Sequence, residues 1–344
     1  MIVIGIDAHK RTHTAVIVNE LGRKLATRTI GTTGADHLAL LRWAAEHDQE
    51  RVWAVEDCRN MTRWLEADLL VAGERVTRVP TKLMAGARDA ARTHGKSDPI
   101  DALAVARAAL REPDLPTARL DGPDREVRLL VDAREALVGE RTRTVNRLRW
   151  HLHELDPGWD PTPRSLDRDG AYQTILARLG SHQGMVARLA RALVQHCRQL
   201  TEQIDALLTE ISTLVTRPAP TLLGIRGCGP LTAAKILGET ADIRRFRSRD
   251  AYARHNGTAP LPVWSSNRAR HRLSRTGNRQ LNAALHRIAL TQARCHPDAR
   301  SLLARRRAGG DGGLEALRVL KRHLSDVVYR ALRTDATSPQ PTSA

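Results

Sequence analysis

The chain has 344 residues, 41% hydrophobic and 27% charged, and its 55 Lys+Arg against 38 Asp+Glu give a formal net charge of +17. This is a globular composition; no apolar run approaches the roughly 18 residues of a membrane span, and Met1–Asp7 lacks the basic start and cleavage site of a signal peptide. Cys58, Cys197, Cys228 and Cys295 stand far apart without a Cys-x-x-Cys pair, which excludes a disulfide framework or zinc site and leaves a cytoplasmic protein with polyanionic partners as the expectation.

The first third alternates strand and helix signals. Ile2–Asp7 is an apolar run suited to a buried strand. His13–Asn19 and Lys24–Ile30 are β-rich and joined by the hairpin-like Glu20-Leu21-Gly22-Arg23. Leu38, Leu41, Trp43 and Ala45 predict a helix between Asp36 and His47. Arg51–Val55 reads as a strand ending at Glu56-Asp57, Met61–Ala72 as an amphipathic helix, and Arg75–Val79 as a strand stopped by Pro80. Asp98–Leu110 reads as a helix with Asp98 as N-cap and Pro99 at the first helical position. This order predicts an α/β domain over 1–115, a mixed sheet with helices against it.

Four carboxylates stand out in that domain. Asp7 and Glu56 each follow an apolar strand, where chain ends converge on one edge of a sheet, and Asp98 and Asp101 are three apart on one side of a helix. Without basic partners, four convergent carboxylates repel one another unless divalent cations hold them, and oxygen-only ligation suits Mg²⁺ or Mn²⁺. Such ions can clamp the attacking and leaving oxygens of a phosphodiester exchange. Each acid alone has a plainer role, as a cap, a first-turn acid, a turn residue or a solvated strand end.

The middle third, 116–216, is helical and reads as a coiled-coil linker. Glu126–Leu155 carries Leu130, Leu137, Leu148 and Leu152 and ends at Asp156-Pro157-Gly158. A second long helix carries Leu193, Cys197, Leu200, Ile204, Leu207, Ile211 and Leu214, a heptad seam. The seam can close an antiparallel hairpin with the first helix or pair with another protomer.

The last third, 217–333, holds 24 basic against 7 acidic residues, so the whole charge excess sits there, as a phosphate-binding surface requires. Gly224–Pro230 contains Gly227 and Gly229 and leads into a helix from Leu231, a turn whose free N–H groups suit a phosphate, like half of a helix-hairpin-helix element. The stretch from Trp264 to Arg279, a loop to Asn278, is the most basic of the chain, with Arg268, Arg270, Arg272, Arg275 and Arg279 beside Ser265 and Ser266 and no acid. A serine hydroxyl attacks phosphate only when the developing charge is stabilised, which guanidiniums can do; the plainer reading is a nucleic-acid-contacting loop. Apolar helices are expected over Leu281–Ala293 and Glu315–Leu332, with basic, Gly-rich Ser301–Gly313 between. The tail 334–344 is expected to be disordered.

Together these residues resemble the DEDD-type insertion-sequence transposases. Gly5-Ile6-Asp7 with Lys10, Val55-Glu56 and Lys96-Ser97-Asp98-Pro99-Ile100-Asp101-Ala102 are similar to the family's carboxylate motifs. Gly224–Pro230, Gly257-Thr258-Ala259-Pro260, Ser265 and Ser274-Arg275-Thr276-Gly277-Asn278 are similar to its second domain. The resemblance departs at Asp57-Cys58-Arg59-Asn60, where the family has a small residue then Thr-Gly after its glutamate, and at Ser266, where it has Gly.

The resemblance implies an N-terminal RNase H/RuvC-like α/β domain, a helical coiled-coil region and a mainly α, serine-bearing C-terminal transposase domain. It implies that Asp7, Glu56, Asp98 and Asp101 bind Mg²⁺ (or Mn²⁺) and that Ser265 attacks DNA to form a transient phosphoserine link. It further implies a non-coding RNA of the element as guide and a homo-oligomer, dimer or tetramer, sharing its active site between subunits. The alternatives are a RuvC-like nuclease without covalent intermediate and a nucleic-acid-binding protein without chemistry.

Overall fold

The computed structural model describes residues 1–57, 61–89, 97–112, 115–120, 122–162, 165–265, 268–272, 274 and 277–337. They form two compact units, Met1–Gly122 with Thr240–Ser338, and Pro123–Glu239.

In the first unit β1 (Ile2–Ala8), β2 (His13–Val18), β3 (Lys24–Ile30), β4 (Arg51–Glu56) and β5 (Val76–Val79) make one sheet in the order β3-β2-β1-β4-β5. β1, β2 and β3 pair antiparallel, whereas β4 runs parallel to both β1 and β5. Three antiparallel strands extended by two parallel ones is the RNase H/RuvC-like arrangement that the resemblance implies.

The apolar runs of β1 and β2 are buried along their whole length because both sheet faces are covered. Ile2, Ile4 and Ile6 with Trp53 and Val55 face α1 (Gly34–Ala45) and α2 (Arg63–Val71), packing on Leu40, Ala44, Leu65 and Leu69. Val3 and Ala54 face α3 (Thr81–Asp89) and α4 (Asp98–Arg111), packing on Met84, Ala87, Ala102 and Val105. Side chains alternate along a strand, so Gly5, Asp7 and Glu56 share the α4 face with Val3 and Ala54. Gly5 lets α4 come close: a Cβ there would lie 2.1 Å from the Ala102 carbonyl oxygen and 2.5 Å from the Ala106 nitrogen.

α1 opens with a capping box, in which Thr33 Oγ1 accepts from the Asp36 N–H at 3.3 Å and Asp36 Oδ2 accepts from the Thr33 N–H at 3.0 Å. Thr33→Ala is expected to lower unfolding free energy by about 1 kcal/mol, read from the urea midpoint. An unchanged midpoint would show that the box adds nothing.

Two local expectations change in this domain. The N-cap of α4 is Ser97, not Asp98: the backbone of Ser97 is extended (φ −155°, ψ 153°) and its carbonyl takes the first helical bonds, from Ile100 and Asp101. Asp98 is therefore the first helical residue and Pro99 the second. Pro80 both stops β5 and starts α3, since its carbonyl accepts from the Leu83 and Met84 N–H groups; the sequence pattern alone shows no helix there.

The second unit is helical: α5 (Pro123–Leu155), α6 (Asp169–Leu179), α7 (Met185–Thr216), α8 (Pro220–Leu223) and α9 (Pro230–Thr240). α5 and α7 pair antiparallel within the chain. Leu148 and Leu152 pack with Ala187, Ala190, Val194 and Cys197, while Val127 and Val131 at the other end pack with Ile211 and Val215. Cys197, Leu200, Ile204 and Ile211 of the heptad seam are buried, whereas Leu193, Leu207 and Leu214 are only half-buried. The boundary drawn at 216/217 does not part compact units, because Leu223, Leu231, Ala234 and Leu237 pack on the α5–α7 pair.

The rest of the first unit holds α10 (Arg249–His255), β6 (Leu261–Ser265), β7 (Arg268–Arg272), α11 (Arg279–Cys295), α12 (Pro297–Ala308) and α13 (Gly313–Thr337), with α10, α11 and α12 packed on α13. The basic loop from Trp264 is thus an antiparallel ribbon in its first half, pairing Leu261 with Arg272 through to Ser265 with Arg268. The basic part of Ser301–Gly313, up to Ala308, belongs to α12, where Pro297 opens the helix and Leu and Arg propagate it well. The expected tail starts later, because Thr334–Thr337 extend α13; residues 338–344 lie outside the described residues. No described helix is long and apolar enough to cross a membrane.

Candidate active site

The parallel register sets Ile6 beside Val55, so Asp7 and Glu56 end neighbouring strands on the same face. α4, seated on Gly5, brings Asp101 to that place from its first turn and Asp98 from its first residue. Asp7, Glu56 and Asp101 are buried, while Asp98 is half exposed. Two basic side chains that sequence reasoning missed stand among them. His9 Nε2 lies 3.1 Å from Asp7 Oδ2 and 3.3 Å from Asp98 Oδ1, and Arg88 Nη1 of α3 donates to Asp101 Oδ1 at 3.0 Å. His9 could have been found as a metal-capable residue two places beyond Asp7; Arg88 depends on α3, which gave no clear signal.

The carboxylates are thus not without basic partners, yet one guanidinium and one imidazole against four carboxylates leave negative charge over. Burial pushes the Asp7 carboxyl above its ordinary range; His9 opposes this, and Asp101, Asp98 and Glu56 add to it by repulsion. Hard oxygen donors with uncompensated negative charge fit a divalent cation. Asp7, His9 and Asp98 each offer one ligand atom, all within 4.8 Å of one another.

Ser265 closes β6 opposite Arg268, and Arg268, Arg270 and Arg272 occupy alternate positions of β7. Arg279 opens α11 and is exposed. Arg275, Ser266, Lys96 and Cys58–Asn60 lie outside the described residues. Gly227 (φ +88°) and Gly229 form the turn between α8 and α9. At Gly227 a left-handed backbone is needed, which glycine adopts without strain, whereas a Cβ at Gly229 would meet nothing within 4 Å. Between them, burial raises the Cys228 thiol to about 12, so it is protonated and unreactive.

Comparison with known proteins agrees over most of the chain. A DEDD-type family model described as transposase matches residues 4–157, and one described as "Transposase IS116/IS110/IS902 family" matches residues 219–304. The 44.8 kDa protein of insertion element IS116 from Streptomyces clavuligerus is 27% identical, over 96% of this chain and 94% of its own. The 42 kDa protein of insertion element IS900 from Mycobacterium paratuberculosis is also 27% identical, over 99% of this chain and 98% of its own. Among solved structures, RuvC of Thermus thermophilus bound to a Holliday junction substrate is similar at 17% identity and TM-score 0.28, over 34% of this chain and 99% of its own.

Proposed function

Because the chain belongs to the DEDD-type insertion-sequence transposases of the IS116/IS110/IS902 family, we propose that it cuts and rejoins DNA strands with Ser265 as nucleophile and Asp7, Glu56, Asp98 and Asp101 as metal ligands. The convergence of four carboxylates at the end of β1 is the observation that carries this reading. Mg²⁺ or Mn²⁺ held there supplies stabilisation of the charge that builds on the attacking and leaving oxygens. The chain's own carboxylates hold that charge in place, with β1, β4 and α4 as a rigid mount.

Ser265 Oγ forms a bond to phosphorus as the bond from phosphorus to the leaving deoxyribose oxygen breaks. The hydroxyl proton passes to solvent and the leaving oxygen takes one up. Attack by a second strand's hydroxyl reverses the step, releases the serine and conserves the number of phosphodiester bonds, so no external energy source is required. The arginines at 268, 270, 272, 275 and 279 supply positive charge for the phosphate oxygens, and Gly227 and Gly229 open a second backbone contact. The same reading carries an element-encoded non-coding RNA as guide and more than one copy of the chain in the active assembly, consistent with the basic excess after residue 217.

The test is a denaturing gel of the protein with Mg²⁺, co-purified RNA and labelled element-end DNA, beside Ser265→Ala. A slow protein–DNA band in wild type that the variant lacks is the expected result. Cleavage without that band would replace the serine mechanism by metal-dependent hydrolysis. A band that survives nuclease digestion of the RNA would remove the guide from the reading.

A further inference from the structure

The root of the β6–β7 ribbon is held by an unusual run of buried polar side chains. Asn256, the C-cap of α10, and Ser325 of α13 are fully buried, and Lys321 of α13 is 7% exposed. Lys321 Nζ donates to Asn282 Oδ1 at 2.5 Å, and Asn282 Nδ2 donates to the Asn256 carbonyl at 2.9 Å. Asn256 Nδ2 donates to Ser325 Oγ at 2.8 Å, while Asn256 Oδ1 accepts from the Thr258 N–H at 3.1 Å and its hydroxyl at 2.6 Å.

The chemistry fixes each member. An ammonium only donates and a backbone carbonyl only accepts, so the side chain between Lys321 and Asn256 must offer one acceptor and one donor, which an amide does. An aspartate at 282 would face the carbonyl with a second acceptor, and an apolar residue would strand both groups. Lys321 and Ser325 are four apart on α13, hence on one face, and together they reach α11 and the end of α10.

That place is where the chain enters and leaves the ribbon. Thr258 precedes β6 by three residues, and Gly277-Asn278 follows β7 by five. The two roots touch through their backbones: a Cβ on Gly277 would lie 2.2 Å from the Gly257 nitrogen, and the Asn278 N–H donates to the His255 carbonyl at 2.6 Å. Burial brings the Lys321 ammonium down to about 8, with Arg318 adding to it, as expected for a cation whose partner is an amide.

We propose that Lys321 and Ser325, acting through Asn282 and Asn256, are positioning residues that clamp both roots of the β6–β7 ribbon and so hold Ser265 ready for attack. The positioning of Ser265 rests on its reading as the nucleophile; the clamp itself does not.

The test uses the full chain without nucleic acid. Hydrogen exchange is measured for the Leu261–Arg272 amides in wild type, Lys321→Met and Ser325→Ala, the last serving if Lys321→Met fails to fold. Ribbon amides are expected to exchange about tenfold faster in the variants, with the cores of α11 and α13 within about twofold of wild type. In the gel assay the single-turnover rate of adduct formation should fall about tenfold, while half-saturating DNA moves by less than about threefold.

Unchanged ribbon exchange in both variants overturns the clamp. So does loosening that spreads equally through α11 and α13, which would mark a merely structural network. Faster ribbon exchange alongside a wild-type chain that makes no adduct supports the clamp and overturns the reading of Ser265 instead.

Discussion

Asp7→Asn is expected to lower the rate of DNA strand cleavage about a thousandfold or more, while leaving the chain as stable as wild type or more so. With Asp7 read as a metal ligand, the rate loss follows because charge stabilisation by a bound divalent ion amounts to several kcal/mol, and Asp7 is the least exposed of the four carboxylates. The stability gain follows from the raised folded-state carboxyl of Asp7, driven by burial and by repulsion from Asp101, Asp98 and Glu56 against the pull of His9. The folded state binds this proton more tightly than the unfolded one. The contribution of Asp7 to stability is therefore fully present below its ordinary value of 3.8 and is lost as pH rises through the raised folded value. Asparagine removes that penalty. Urea unfolding across that pH range, with and without Mg²⁺, checks both: Asp7→Asn should be flatter than wild type and less stabilised by the ion. A variant that keeps its cleavage rate would remove Asp7 from the chemistry.

Gly5→Val is expected to be the most destabilising single change in the N-terminal domain, by about 3 kcal/mol. Its Cβ would meet backbone atoms of α4, the Ala102 oxygen and the Ala106 nitrogen, rather than a side chain that can swing away. β1 is buried on both faces, so the strand cannot retreat, and the helix must move. Because α4 carries Asp98 and Asp101, the same displacement should weaken Mn²⁺ binding in whatever fraction still folds. Guanidinium unfolding and Mn²⁺ titration give the two readouts. Wild-type stability in the variant would mean that α4 is not seated on β1.

The central strands of the first domain were legible because they are buried on both sides, so their apolar runs are continuous: Ile2–Ile6 of β1 and Val52–Val55 of β4 need no partner information to be read. The carboxylates at their ends were legible as strand-end acids. His9 was not, since a histidine in a turn is ordinary until two carboxylates close on it. Arg88 was hidden because α3 begins immediately after a proline that also terminates a strand. The ribbon was read as a loop because its alternation is between arginine and residues of every kind, with no apolar face for the pattern to follow. The clamp beneath it joins Asn256 to Ser325 and Asn282 to Lys321, pairs 69 and 39 residues apart, a spacing that no periodicity reveals.

The pairing of α5 with α7 also bears on how the chain is made. The first unit is interrupted: its sheet is complete by Gly122, and its remaining helices begin only at Thr240. Bringing together the ends of an unstructured detour of about a hundred residues would carry a closure entropy on the order of 4 kcal/mol. The detour instead folds back on itself, and at its base a Cβ on Gly238 would lie 2.8 Å from Cβ of Arg128, so it leaves and returns at one spot. On a ribosome, the N-terminal sheet can therefore close before the serine-bearing segment has been synthesised, and the helical detour folds on contacts of its own.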